Sequence, residues 1–89
     1  GFDERFVSLL IPQDAQDRLE AQELRQLMHR ALQDLTDDEM RTIELRYQHK
    51  KSPGQAAAVM GISRDEMSAL EQNGLGKLRR GLEEWYAGS

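Results

Sequence analysis

Six basic side chains, Lys50, Lys51, Arg64, Lys77, Arg79 and Arg80, fall in the second half of this 89-residue chain. Lysine and arginine can neutralise phosphate there, and arginine can also grip a guanine edge with two parallel hydrogen bonds. The same charges would serve equally well on a solvated helical face. Through Arg46 the chain carries eleven acidic and six basic side chains, and from Tyr47 onward five and six. A modest basic patch would therefore sit on an acidic body, whose net charge of −4 counts against a domain that grips nucleic acid with its entire surface.

Other chemistry finds little support. His29 and His49 have no carboxylates at metal-ligand spacing and read as surface or boundary histidines. Asp37-Asp38-Glu39 lacks the glycine turn and spread ligands of a calcium loop, and acids at a helix start explain it more simply. Gly74-Leu75-Gly76 follows no strand, so it is no phosphate-cradling loop. No serine, histidine and acid arrangement stands out. The expectation is a protein that is not an enzyme and carries no cofactor and no metal. The absence of cysteine removes disulfides and thiolate sites and suits the cytoplasm. The longest apolar run, residues 6–11, is broken by Ser8 and stops at Pro12, too short to span a membrane and without signal-peptide features. The opening Gly1 is compatible with a fragment of a longer protein.

Helices must position these residues. Residues 1–12 read as a linker or docking arm, with Phe2, Phe6, Val7, Leu9 and Leu10 apolar enough to dock. Over 13–34, Leu19, Leu24, Leu27, Met28, Ala31 and Leu32 recur at i, i+3, i+4, the mark of an amphipathic helix. Thr36 with Glu39 three residues on forms a capping box, and a second helix runs to Gln48-His49, with Leu45 off its main apolar stripe. Ser52, Pro53 and Gln55 open a third helix over 53–60, which Gly61 closes in a left-handed conformation. Ser63 and Glu66 start a fourth helix, where Gly74 and Gly76 mark a kink, a close helix contact or the helix end. Helix, glycine turn and helix over 52–73 is a helix-turn-helix pattern, used in nucleic-acid binding and also in domains that bind only proteins. The fold class is all-α, a four-helix domain over 13–86, with Leu24, Met28, Leu32, Leu35, Ile43, Ala57, Ile62, Met67 and Leu70 in its core.

Taken in order, residues 13–80 resemble region four of the bacterial sigma-70 family, the promoter-recognition subunits of RNA polymerase. The opening PQDAQDRLEAQELRQLMHRALQDL is similar to the acidic, alanine- and leucine-rich lead helix of many members. LTDDEMRTIELRY is close to the family's Leu-(Thr/Pro/Ser)-x-x-Glu-x-x-(Val/Ile)-(Leu/Ile)-x-Leu-Arg-Tyr pattern. SPGQAAAVMGIS matches the supporting helix, with Ala57 at its small-residue position and Gly61 at its turn. RDEMSALEQNGLGKLRR resembles the recognition helix and its tail, here Glu71, Leu75, Lys77, Leu78 and Arg79. The recognition helix departs from the pattern. Members that read the upstream promoter hexamer place arginines and a glutamine along its first two turns, whereas here Arg64 is followed by Asp65, Glu66, Ser68 and Ala69.

The resemblance implies a transcription-initiation module that binds promoter DNA. Arg64, Asp65 and Ser68 would lie near base edges, and Lys50, Lys51, Lys77 and Arg80 would contact phosphate. It also implies a polymerase contact, because region four docks on the β-subunit flap through a concave apolar face. A second reading is a sigma-like domain acting mainly through protein contacts, with RNA polymerase, an anti-sigma factor or another regulator. The acidic front half, the altered recognition helix and the apolar arm at Phe2 to Ile11 favour that second reading. A plain structural helical domain is the third.

Overall fold

The computed structural model describes residues 4–11 and 18–88. The helices are α1 (Glu4–Leu9), α2 (Arg18–Gln33), α3 (Asp37–Ile43), α4 (Pro53–Met60) and α5 (Arg64–Gly88), with a π-helical turn over Glu44–Gln48 directly after α3. No strand occurs among the described residues, so the all-α expectation holds. α1 lies in the stretch read as an arm, and it packs against α2 with Val7 and Ile11 buried. The lead helix expected over 13–34 is seen from Arg18, and residues 12–17 lie outside the described part.

The stretch read as one domain over 13–86 divides into two compact units. One comprises Leu35–Gly76, and the other combines the residues up to Asp34 with those from Lys77 onward. In this flanking unit Leu24, Met28, Ala31, Leu32 and Leu78 are buried. Gly81 gives α5 its close approach to α2, because a Cβ there would come within 3.1 Å of the Ala31 Cβ and 3.3 Å of the Met28 Cε.

Three helix starts of the 35–76 unit follow from their caps. Thr36 and Ser52 each accept a hydrogen bond from the backbone N–H three residues on, while Glu39 and Gln55 return the bond to the cap's own N–H. Glu39 is buried, and its carboxylate accepts from the Thr36 N–H at 2.9 Å. The third start differs in detail: Ser63 Oγ accepts from the Glu66 N–H at 3.1 Å and donates to the Glu66 carboxylate at 3.1 Å.

The core cluster of this unit is Leu45, Ala56, Ala57 and Met67, with Met60 and Ile62 packed on it. Leu45, off the stripe of an unbroken α-helix, lies in the π turn and is buried there. Ile43 meets another neighbour: a Cβ on Gly74 would come 3.1 Å from its Cγ1. Gly74 thus marks a close helix contact, and α5 continues through both Gly74 and Gly76. Of the expected core, Ile62 and Leu70 are half-buried and the others are buried.

Candidate nucleic-acid interface

α4 can lie close under α5 because its inward residues are small. Ala56 is fully buried and Ala57 nearly so, and both meet Met67 from the first turn of α5. Gly61 then turns the chain at φ 69°, ψ 34°, a left-handed conformation that costs glycine nothing. The Ile62 N–H donates to the Ala57 carbonyl at 3.1 Å and Ile62 packs on the core cluster, the bond and the apolar contact of a Schellman close. The outcome is two helices joined by a three-residue connection, with α5 presenting a polar face. Met67 and Gly74 point inward, Leu70 and Glu71 are half-buried, and Asp65, Ser68, Ala69 and Gln72 are exposed at the i, i+3, i+4, i+7 spacing of one helix face.

A polar tie fixes the loop ahead of α4. Arg46 donates from Nε to the Glu71 carboxylate at 3.1 Å and from Nη1 to the Lys51 carbonyl at 2.7 Å. Tyr47 donates its hydroxyl to the same Glu71 oxygen at 2.6 Å, and the Arg46 guanidinium lies 5.3 Å from the Tyr47 ring centre. The pair is mostly out of solvent, with 22% and 15% of the Arg46 and Glu71 side chains exposed. Burial, the Glu71 hydrogen bond and the Glu71 charge push the Tyr47 phenol above its usual value, and Arg46 opposes them.

The seven residues singled out from the sequence fall into two groups. Lys50, Lys51, Arg64, Asp65 and Ser68 belong to the 35–76 unit. Lys50 is exposed with φ 55°, the one positive φ at a non-glycine among the described residues, and Lys51 is half-buried. Arg64, Asp65 and Ser68 are exposed on the first turns of α5, with the Arg64 Nε 3.9 Å from where a Cβ on Gly54 would lie. Lys77 and Arg80 belong to the flanking unit. There Lys77 donates to the Asp34 carbonyl at 3.1 Å, and both side chains border an open groove with Leu27, Arg30 and Ala31.

Two features escaped the sequence reading. Gln72 shares the outward face, a position that its spacing of four from Ser68 and seven from Asp65 could have given. The Arg46–Glu71 tie joins residues 25 apart, and no local pattern announces it.

The sequence pattern of the family described as sigma-70, region 4, matches residues 31–80, more than half of the chain. The chain belongs to the sigma-70 region 4 family. Region 4 domains are non-enzymatic DNA-binding domains of transcription, and the family generally engages RNA polymerase and DNA. A DNA-binding, transcription-related role follows for this chain. No curated protein and no solved structure matches it. Among the described residues no helix of this region 4 domain is long and apolar enough to cross a membrane, and no group of three or more His, Asp or Glu is placed to hold a metal.

Proposed function

We propose that this region 4 domain acts in transcription initiation, laying α5 in the major groove of promoter DNA and contacting the β-subunit flap of RNA polymerase. The observation that carries the DNA contact is the exposed polar face of α5, the second helix of the glycine-turned pair. Arg64 stands at its head for a base or phosphate contact, and Lys50 and Lys51 lie on the loop before α4 for phosphate, with Lys77 and Arg80 as further phosphate contacts. An open groove over Met60, Ile62, Ala69 and Leu70, with Asp38 and Glu66 on its border, supplies an apolar surface for the polymerase. Binding by the domain alone is weak on this reading, because Asp65 and Glu66 meet the negative potential of the duplex first.

Those same two carboxylates favour the second reading, a domain that works mainly through protein contacts with polymerase, an anti-sigma factor or another regulator. Duplex binding measured at two salt concentrations, for the wild type and Arg64→Ala, separates the two. A major-groove helix gives affinity that falls steeply with salt and is lost by roughly 1–3 kcal/mol in Arg64→Ala. Capture of core polymerase without duplex binding above the non-specific level rejects the DNA contact and keeps the protein contact.

A further inference from the structure

The polar side chains on the first three turns of α5 divide by use. Glu66 is engaged with Ser63 at the helix cap, and Glu71 is held by Arg46 and Tyr47. Asp65, Ser68 and Gln72 are exposed and have no hydrogen-bond or ion-pair partner among the described residues. The side chains the fold itself needs therefore lie off the outward face, while the outward face carries hydrogen-bonding groups left open.

From this division we infer that α5 reads a cytosine through Asp65 and, up to about three base-pair steps away, an adenine through Gln72. The inference rests on the proposal that α5 enters the major groove and goes further, by naming the bases. A carboxylate only accepts hydrogen bonds. Cytosine presents the N4 amine donor in the major groove, whereas guanine presents two acceptors, O6 and N7, and would repel it. An unpaired carboxylate brought to a duplex is costly unless it finds such a donor, so Asp65 both selects cytosine and rejects guanine. The Gln72 amide offers one donor and one acceptor, the complement of adenine N7 and N6. Seven residues at about 1.5 Å rise separate the two side chains by about 10 Å, against about 3.4 Å per base-pair step.

The test is selection from a pool of randomised duplexes by the full 89-residue chain at low salt, repeated with Asp65→Asn and Gln72→Ala, with helix content by circular dichroism as the folding control. The wild type is expected to enrich a cytosine and an adenine at a fixed offset of at most about three steps, each preferred by roughly five- to a hundred-fold. Asp65→Asn should lose the cytosine preference and move it toward adenine, while its overall affinity rises as a negative charge is removed. Gln72→Ala should lose the adenine preference alone. Selected duplexes without cytosine enrichment, or a cytosine preference that persists in Asp65→Asn, overturn the base assignment and leave the major-groove reading standing. No binding above the non-specific level overturns both.

Discussion

The 35–76 unit and the flanking unit are held by different kinds of interaction. Among the described residues of the flanking unit the buried side chains are aliphatic, sulfur-containing or methyl groups, and α5 approaches α2 at a glycine facing an alanine. The 35–76 unit buries Leu35, Ile43 and Leu45 together with Met67 and two alanines, Ala56 and Ala57. It adds a cap at each helix start, a left-handed glycine and a partly buried arginine–carboxylate tie. Apolar packing tolerates any side chain of fitting volume, whereas caps and ties demand particular atoms in particular places. The unit that presents the head of α5 as a candidate DNA face has a backbone path fixed by polar geometry. That arrangement leaves its outward side chains free of structural duties.

The largest expected effect tests the apolar side of this contrast. Met28→Ala in the flanking unit and Met67→Ala in the 35–76 unit, both fully buried in the wild type, should each lower stability by about 2–5 kcal/mol in denaturant titration. Losses well below that range in Met28→Ala would show that the flanking unit does not depend on its apolar contacts.

The polar tie separates the two units more sharply. Arg46→Met keeps the stem but leaves Glu71 short of its charged partner and the Lys51 carbonyl without the guanidinium, for about 1–3 kcal/mol. Lys77→Met, which removes a half-exposed ammonium from the Asp34 carbonyl, should stay within about 0.5 kcal/mol. Equal losses in the two variants would erase the distinction. Gly61→Val should cost about 1–3 kcal/mol through backbone strain, because nothing lies within 4 Å of its would-be Cβ and sterics with neighbours cannot contribute. An unchanged melting temperature would remove the left-handed turn from the account.

Next in size is the cap at Thr36. Thr36→Ala should cost about 1 kcal/mol, since the Glu39 N–H loses its acceptor at the head of α3. The caps are also the part of the fold most open to reading from residues alone. Thr36-Glu39, Ser52-Gln55 and Ser63-Glu66 are three-residue signals whose physics is complete within one helical turn, and Gly61 is a single-residue one. The π turn was not legible, because inserting an extra residue into a turn depends on what packs against both sides of it. Ile43 faces Gly74 while Leu45 enters the Ala56–Ala57–Met67 cluster, and only the assembled unit makes both positions apolar. The passage of α5 through Gly74 and Gly76 has the same origin: the local propensity against glycine, about 1 kcal/mol each, is outweighed at Gly74 by a contact that a Cβ would crowd. At the candidate site Arg64, Asp65 and Ser68 follow from a helix start and its spacing, whereas the role of Glu71 depends on a partner 25 residues away.

The smallest effect concerns Tyr47, whose hydroxyl is the outermost member of the tie. Its phenol is held protonated by burial and by the Glu71 carboxylate, so its value in the fold lies above the ordinary value of about 10. A raised value means that the folded state binds this proton more tightly than the unfolded chain does. The resulting stability is fully present below about pH 10 and is lost as pH climbs through the folded value. Tyr47→Phe keeps the ring beneath the Arg46 guanidinium and removes the titration. Thermal melts of wild type and Tyr47→Phe from about pH 9 to about pH 12 share the background from lysines and the other tyrosine. The wild type should melt higher at the lower end, and its advantage should shrink as pH rises, because ionised Tyr47 places a second negative charge against Glu71. A difference constant across that range would mean that Tyr47 contributes its ring to the tie and its hydroxyl nothing.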